Sequence, residues 1–414
     1  VVMKKLLILC PTSREMRALP SIAGELGIEL IFDPFGDDYF DSFLGKDPKP
    51  ARESLDILGL IDEVVENYRG TIDGVTSAVG YPGMSASSII AKRLGLPGPD
   101  PKAIMICEHK YYSRVSQQEV VPHATPSFHL IDPKTYDDAD AAGIQFPAFL
   151  KPVKSCMSMN AFKVESKQEL SHLVKRALLP MGFIQPFNDM WNVYGDALAK
   201  DATYLLVESH LEGAQVSLEG YVFDSEVHIF GVLDAVMFPG TISFKRFELP
   251  SRLPADVLAR MHEIAKTYIS SIGYDNALFN IELIYNPEKD TIHIIEINPK
   301  IASQFPDLFF KVDGSSTYKT MMEIALGIPP SFHHAEGQYK VAGSCVLRIF
   351  EDQLVRRAPS PSEVKDVERQ FPGAQIQIYA TVGHKLSEQM QDAGSFRYGL
   401  VNIGADSTED LEEK

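Results

Sequence analysis

The chain has 414 residues and a formal net charge of −17 at pH 7. A polypeptide of this length exceeds one small core, and about two to four domains are expected. Its acidic balance argues against a nucleic-acid-binding surface, because a phosphate backbone is bound by clustered Lys and Arg side chains. Any phosphate site should therefore be local.

The cysteines and the apolar runs indicate where the protein acts. The four cysteines lie far apart and form no CxxC pair, which favours free thiols in a reducing compartment over disulfides or zinc. The opening apolar run is too short for a signal peptide and meets Pro11 at once, so we interpret it as a buried strand. No apolar stretch reaches membrane-spanning length. We expect a cytoplasmic protein with no membrane partner.

The first segment, residues 1–106, alternates short apolar strands with helical stretches. This alternation predicts βαβ units around a parallel sheet. No GxGxxG motif follows the first strand, so the dinucleotide-binding fingerprint is absent. The predicted strands are 5–10, 29–32 and 74–79, and the predicted helices are 15–26 and 85–94.

Three further segments follow. In 107–206, strands at 146–153 and 161–164 precede a helix with a capping box from Ser166 to Glu169. Segment 207–330 carries several strands and an amphipathic helix that starts at Pro254 and stops at Gly273. Segment 331–414 contains a second capping box from Ser360 to Glu363, and its acidic end, 409–414, is expected to fray.

A β-hairpin is the most informative local pattern. Two β-branched runs, 278–285 and 291–297, flank the turn-forming residues 286–290, which is typical of a hairpin with a five-residue loop. Directly opposite residues share a face, so any register with an even index sum puts Glu282 and Glu296 on one side.

The hairpin predicts a metal site. Alternation adds Asn280 and Asn298 to the face that carries Glu282 and Glu296. Adjacent carboxylates repel unless a cation lies between them, and Mg²⁺ takes carboxylates together with substrate phosphate oxygens. The alternative is a solvated strand face that happens to carry two glutamates.

Two lysines and one glutamate suggest a nucleotide nearby. Lys151 follows a buried strand and precedes the polar loop 154–160, where an ammonium group suits phosphate. Lys110 is a second cation near a segment boundary, although either lysine alone could be a surface residue. Glu208 ends an apolar strand whose edge could bind an adenine ring, with the carboxylate accepting from its exocyclic amine.

Five segments in order resemble those of the ATP-grasp family: 92–114, 146–155, 205–213, 279–284 and 294–300. The resemblance covers about 90–330 and implies a multidomain protein of mixed α/β and α+β class. Its implied parts are an N-terminal Rossmann-like (pre-ATP-grasp) α/β domain at 1–106, an ATP-grasp lid at 107–206, a metal and nucleotide sheet at 207–330, and a closing α/β segment at 331–414.

The resemblance also implies a set of site residues. Lys110 and Lys151 would hold the α- and β-phosphates of ATP, and Lys300 would lie beside the transferring phosphoryl group, where arginine is usual. The implied adenine contacts are Glu208 and the backbone from Ser209 to Leu211, and the implied ligands of Mg²⁺ or Mn²⁺ are Glu282, Glu296 and Asn298.

The chain also departs from the family pattern. Gln215 stands where a ribose-binding glutamate is common, so Glu212 is expected to share that role. The phosphate loop contains no glycine, and the Ser155 and Ser158 hydroxyls are expected to replace backbone N–H groups. On the substrate side, the resemblance proposes Arg246 as a carboxylate clamp, Ser303 and Gln304 as lining residues, and Arg348 and Arg397 as unranked contacts.

The chemistry implied is that of an ADP-forming ligase. ATP would phosphorylate a small-molecule carboxylate, such as that of an amino acid, and an amine would displace phosphate to give an amide-type bond. Two alternatives stay open: a carboxylase-type enzyme that activates bicarbonate, and a nucleotide-binding protein without ligase turnover. A homodimer is also left open.

Overall fold

The computed structural model describes residues 3–36, 55–156, 159–195, 199–388 and 395–414. The strands are β1 (Lys4–Leu9), β2 (Ile28–Asp33), β3 (Gly74–Thr76), β4 (Phe128–Ile131), β5 (Ala148–Pro152), β6 (Phe162–Val164), β7 (Leu205–Ser209), β8 (Ala214–Phe223), β9 (Glu226–Met237), β10 (Phe244–Leu249), β11 (Ala277–Asn286), β12 (Thr291–Asn298), β13 (Val341–Ile349), β14 (Gln375–Ile378) and β15 (Phe396–Ala405). They form three sheets.

Helices cover these sheets. They are α1 (Ser13–Leu26), α2 (Ile57–Tyr68), α3 (Ser85–Leu94), α4 (Pro101–Glu108), α5 (Lys110–Val120), α6 (Lys167–Val174), α7 (Met181–Tyr194), α8 (Ala255–Ser271), α9 (Pro306–Asp313), α10 (Thr317–Ala325), α11 (Pro361–Gln370) and α12 (Thr408–Glu413). None of the helices in the described ranges is long and apolar enough to cross a membrane. All four cysteines are free thiols.

The N-terminal segment contains the predicted parallel sheet. β1 pairs in parallel with β2 on one side and β3 on the other. Helix α1 begins after Thr12, whose side chain and that of Glu15 form a reciprocal capping box, and it ends at Gly27 in the left-handed conformation (φ 64°). The βαβ organisation predicted for this part is confirmed.

The second sheet is antiparallel, with strand order β4-β7-β5-β6. Helix α6 packs near it and begins at the predicted cap, because the Ser166 hydroxyl accepts from the Glu169 N–H. The reciprocal bond of a capping box would run from the Ser166 N–H to the Glu169 carboxylate. That carboxylate instead accepts from the N–H of Glu165. The second predicted capping box, Ser360 to Glu363, is complete.

The third sheet has eight strands in the order β12-β11-β8-β9-β10-β13-β15-β14. Strands β13, β14 and β15 of the C-terminal segment extend this sheet, because β13 pairs with β10. The acidic end of the chain forms helix α12, in which Leu411 is buried. The expectation that 409–414 frays is therefore wrong, and a Ser407 side chain that accepts from the Asp410 N–H explains why the helix forms.

Each face of the large sheet has its own core. Helix α8 packs its apolar stripe, including Val257, Met261 and Ile264, against one face. Residues of the N-terminal segment and of α9 and α10 cover the other face around Leu233 and Leu278. The second face is therefore enclosed between the sheet and the N-terminal segment, and it carries the hairpin carboxylates described next.

Candidate nucleotide and metal site

The hairpin formed by β11 and β12 brings the two predicted carboxylates together. Glu282 is directly opposite Glu296, and Asn280 is directly opposite Asn298. The register has the even index sum that the sequence predicted, so these four side chains share one face. The alternate residues Ile281 and Ile297 are buried in the core under the opposite face. The predicted common face is confirmed, and the two glutamates are in addition directly opposite each other.

The surroundings shift the pKa values of the two carboxylates in opposite directions. Burial, followed by repulsion from Glu296, raises the pKa of Glu282 to about 7. Burial also opposes ionisation of Glu296, but the Lys110 and Lys151 ammonium groups outweigh it and hold the pKa of Glu296 below its usual value. Lys110 Nζ lies 3.1 Å from Glu296 Oε1, and Gln215 Nε2 donates to Glu282 Oε2 at 3.0 Å. A divalent cation would remove the remaining repulsion between the pair.

A hydrogen-bond relay fixes the amide of Asn298. Its Nδ2 donates to Asn280 Oδ1 at 2.9 Å, and Asn280 Nδ2 donates to Ser217 Oγ and Glu219 Oε1 at 2.5 Å each. The amide oxygen of Asn298 is then the atom that this relay does not use. Ser217 and Glu219 continue the polar alternation that starts at Gln215 on β8, and this signal was missed by the sequence interpretation.

These residues fit a magnesium ion in one particular way. Among the described residues, no group of three or more His, Cys, Asp or Glu side chains is arranged to hold a metal. Two carboxylates and an amide oxygen are instead available at Glu282, Glu296 and Asn298. Mg²⁺ commonly binds to one or two carboxylates and completes its shell with water and substrate phosphates. The donor set therefore suits a metal that arrives with a phosphate ligand.

Lys151 is buried and ion-paired, and is no surface residue. Its Nζ lies 2.7 Å from Glu208 Oε2, while Arg114 Nε donates to Glu208 Oε1 at 2.6 Å. Burial lowers the pKa of Lys151, against the attraction of Glu208. Burial works against the ionised form of Glu208 as well, but Arg114 and Lys151 prevail and lower its pKa to about 2. Sequence reasoning missed Arg114, although it ends the first family-like segment.

The loop after β5 is packed where it begins. The Ser155 carbonyl accepts from Lys110 Nζ at 3.3 Å, so the two predicted phosphate contacts are neighbours. Lys154 is buried, pairs with Glu108 at 3.2 Å and lies 4.3 Å above the Tyr81 ring. The first residue of the predicted polar loop thus anchors it to the N-terminal half. Ser158 lies outside the described residues.

The predicted adenine edge lies at the end of β7. The N–H of Ser209 donates to the carbonyl of Ser127 at 2.9 Å. Leu211 and Glu212 follow in the short turn before β8, where the Glu212 side chain is 70% exposed. Both oxygens of Glu208 already have partners, so an adenine contact there would need one of them to accept a second bond. The adenine and ribose roles stay predictions.

Lys300 lies where the end of β12 approaches the N-terminal segment. It follows β12 by two residues, and a Cβ added to Gly80 would lie 3.3 Å from Lys300 Cδ and 3.3 Å from Glu108 Oε1. Its Nζ donates only weakly, to the Ile301 carbonyl at 3.4 Å. The side chain is therefore held between the two halves of the molecule, beside the hairpin that carries Glu282 and Glu296.

Arg246 lies on the other face of the sheet. Glu282 pairs with Ser217, which pairs with Leu233, whereas Arg246 pairs with Val236. Because Leu233 and Val236 have opposite parity on β9, Arg246 points away from Glu282 and Glu296. Its guanidinium is held by Glu248 and, at 2.6 Å, by Glu412. The substrate-clamp role expected for Arg246 is not compatible with this placement.

The other residues that the sequence proposed for the substrate side lie in the loop after β12 and in the strands β13 and β15. Ser303 and Gln304 lie in the loop after β12, and the Ser303 carbonyl accepts from the Tyr318 hydroxyl at 3.3 Å. Arg348 is buried and donates to Ser395 Oγ at 2.5 Å. The Arg397 guanidinium lies 5.0 Å above the Tyr379 ring.

Comparisons with known proteins agree with this geometry. Residues 144–305 match a family model described as an ATP-grasp domain. No curated protein matches the sequence significantly. Among solved structures, the chain is similar to an L-amino acid ligase from Bacillus licheniformis, with 16% identity, a TM-score of 0.71 and coverage of 99% of this chain and 95% of that chain.

Two further structures show the same likeness. A phosphoribosylglycinamide synthetase from Anaerococcus prevotii is 15% identical, with a TM-score of 0.63 and coverage of 100% of this chain and 96% of that chain. A biotin carboxylase from Campylobacter jejuni is 15% identical, with a TM-score of 0.64 and coverage of 100% and 90%. At such identities the likeness concerns the fold, and the expected fold is confirmed.

Proposed function

We propose, from the premise that residues 144–305 form an ATP-grasp domain, that the chain is an ADP-forming carboxylate–amine ligase acting on small molecules. The observation that carries the proposal is the direct pairing of Glu282 with Glu296, with Lys110 at 3.1 Å from the latter. Phosphoryl transfer depends on positioning and on neutralising charge from both sides of the phosphates. The likeness to an L-amino acid ligase favours an amino acid as one substrate.

Each residue has a proposed role toward ATP. Glu282, Glu296 and Asn298 would hold Mg²⁺ or Mn²⁺, which neutralises charge on the phosphates. Lys110 and Lys151 bind phosphate oxygens, and Lys110 exchanges its Glu296 contact for phosphate when ATP enters. Glu208 and the backbone of Ser209 and Leu211 bind adenine, Glu212 and Gln215 bind ribose, and the Ser155 and Ser158 hydroxyls cover the phosphates.

The proposed reaction has two steps. An oxygen of the substrate carboxylate attacks the γ-phosphorus of ATP, the bond to the β,γ-bridging oxygen breaks, and ADP leaves. The amine then attacks the carbonyl carbon of the acyl phosphate, loses a proton, and expels phosphate to leave the amide. Lys300 lies beside the transferring group and stabilises its charge. The protein supplies orientation and electrostatic stabilisation, with no side-chain nucleophile.

The experiment is ADP release from Mg·ATP with a panel of L-amino acids and amines, followed by mass spectrometry of the product. We expect amide formation that is stoichiometric with ADP, and none with Glu296→Ala. Release that requires bicarbonate and no amino acid would instead support the carboxylase alternative. The nucleotide-binding alternative, which the glycine-free loop and Lys300 favour, predicts ATP binding by calorimetry without stimulated ADP release.

A further inference from the structure

Among the buried polar atoms that have no hydrogen-bond partner in the described residues, three belong to two facing positions of the third sheet and to the loop that contacts them. They are Ser344 Oγ, Asn402 Oδ1 and Gln304 Nε2. Ser344 is fully buried and Asn402 is 7% exposed. Buried polar groups in folded proteins are almost always satisfied, so a cluster of unsatisfied neighbours calls for an explanation. A polar ligand that bonds all three would provide one.

Strand pairing places Ser344 and Asn402 on the face of the metal carboxylates. Ser344 is opposite Asn402 on β15 and opposite Phe247 on β10. Phe247 is opposite Ala235 on β9, and Ala235 shares a face with Leu233. Leu233 is opposite Ser217, which is opposite Glu282, so all of these residues lie on one face. Opposite residues lie on the same face, so the row runs on one side of the sheet.

Gln304 approaches the same face from the loop after the metal strand. Its carbonyl accepts from Asn402 Nδ2 at 3.3 Å, which holds this loop against β15. The neighbouring Phe305 packs on Phe247, with ring centroids 5.0 Å apart. Gln304 is therefore in contact with Asn402 through its backbone, and it lies only six residues along the chain from Asn298.

Arg14 brings a positive charge to this face. It lies in the first turn of α1 and donates to Gln377 Oε1 at 3.2 Å and to Tyr379 Oη at 2.7 Å. Gln377 is opposite Leu400 on β15, and Leu400 lies two residues from Asn402 on the same strand. Gln377 therefore shares a face with Asn402. Within the described ranges, Arg14 forms no ion pair with a carboxylate.

The start of α1 is also tied to the loop that carries Gln304. Glu15 Oε1 accepts from the Tyr318 hydroxyl at 2.5 Å, and that hydroxyl lies 3.3 Å from the Ser303 carbonyl. One tyrosine thus contacts the residue after Arg14 and the residue before Gln304. These contacts hold the start of α1, which carries Arg14, next to the loop that carries Gln304.

We propose that Arg14, Gln304 and Asn402 form a subsite for the amino-acid head group of a substrate. Arg14 and Gln304 Nε2 donate to its carboxylate, and Asn402 Oδ1 with Ser344 Oγ accepts from its ammonium group. Guanidinium is the group best suited to a carboxylate. A simple acid would leave Asn402 Oδ1 unsatisfied, and a simple amine would leave Arg14 without a counter-charge. This subsite rests on the proposed function and takes the clamp role expected of Arg246.

The test is calorimetric titration of the full chain, with Mg·ADP present, by the twenty L-amino acids and a set of dipeptides. We expect at least one to bind, and its carboxamide and its N-acetyl derivative to bind about tenfold to a hundredfold more weakly. Arg14→Gln should cause a similar loss for the free acid and little further loss for the carboxamide, because both changes remove the same contact.

Controls separate recognition from folding. Arg17→Gln, an exposed arginine on the same helix, should leave amino-acid affinity unchanged, and Arg14→Lys should restore part of it. Gln304→Glu offers a second variant that keeps the loop and should weaken the acid more than its carboxamide. Affinity for Mg·ATP should be unchanged in all of them.

Opposite results would overturn the subsite. These are no binding by any probe, equal binding of acid and carboxamide, or an affinity that is indifferent to both Arg14→Gln and Gln304→Glu. If both variants release ADP and bind amino acids as wild type does, the subsite is refuted and the ligase proposal stands. If amino-acid binding depends on Arg14 but no ADP is released, the subsite stands and the ligase proposal is refuted.

Discussion

The two faces of the eight-stranded sheet treat charge differently. On the face toward α8 and α12, Arg246 is held by Glu248 and Glu412, and Arg252 pairs with Glu248 at 3.2 Å. On the enclosed face, Glu282 and Glu296 are directly opposite each other, and the pKa of Glu282 is raised to about 7 by burial and by its neighbour.

The difference distinguishes charged groups that stabilise the fold from charged groups that are suited to binding a ligand. Ion pairs whose partners are all supplied by the chain need nothing further, and breaking them costs stability. Like charges held together, or polar atoms buried without partners, are unfavourable in the free protein and become favourable only when a ligand complements them. The enclosed face has both features, so substitutions there should affect ligand binding and turnover first.

The largest expected effect is on turnover, from Glu296→Ala on the enclosed face. Loss of one metal carboxylate should cost several kcal/mol of transition-state stabilisation, which at ~1.4 kcal/mol per decade lowers kcat by about a thousandfold or more. Steady-state ADP release measures it. Glu412→Ala, on the opposite face, is the matched control and should keep kcat within about twofold. Wild-type turnover of Glu296→Ala at saturating Mg²⁺ would contradict the metal assignment.

Lys151→Met should weaken ATP binding by about tenfold to a hundredfold, because a charge-assisted contact to phosphate is lost. The variant should also unfold more easily, by about 1–3 kcal/mol, since Glu208 keeps only Arg114 as a cationic partner. Calorimetry with ATP and urea denaturation measure the two effects. Lys163→Met, at an exposed lysine that pairs with Glu165 on the same sheet, should change neither. Unaltered ATP affinity would leave Lys151 as a purely structural residue.

Arg246→Met tests the opposite face. Removing one partner from a largely buried ion-pair group should reduce the free energy of unfolding by about 2–4 kcal/mol. Activity per folded molecule should stay within about twofold, because the guanidinium points away from Glu282 and Glu296. Thermal unfolding and kcat/KM on the same preparation provide the comparison. A large loss of kcat/KM with unchanged stability would indicate that Arg246 acts at the substrate site. It would contradict the distinction drawn between the two faces.

The sequence predicted the parts of the fold that local patterns determine. The hairpin of β11 and β12 has β-branched strands and a turn-forming loop, so the shared face of Glu282 and Glu296 could be predicted from parity. Their direct pairing, and the register shift that follows Glu282, appear only in the structure. Local patterns could not reveal the partners of Arg246, because its face depends on pairings with β9 and β13. Arg14 meets Gln377 across 363 positions of sequence, a contact that only the folded chain defines.

The last expected effect concerns stability alone and involves Glu219, which bonds Asn280 beneath the hairpin of β11 and β12. Burial raises the pKa of Glu219 to about 8, so the folded chain keeps a proton that the unfolded chain loses above about pH 4.3. The folded state therefore binds more protons between these values, and the stability that this proton contributes is lost as pH rises toward 8. Glu219→Gln resembles the protonated form and keeps the oxygen that accepts from Asn280.

Urea denaturation of wild type and Glu219→Gln would measure this effect at several pH values between about 5.5 and about 8.5. This range covers the upper part of the interval between the pKa of the unfolded chain and that of the folded chain. The free energy of unfolding of the variant, minus that of wild type, should rise with pH by on the order of 1 kcal/mol per unit up to about pH 8 and then level off. Glu263→Gln on the solvent side of α8 should follow wild type throughout. If Glu219→Gln also runs parallel to wild type, Glu219 is ionised in the folded chain, and the buried relay to Asn298 carries a full negative charge.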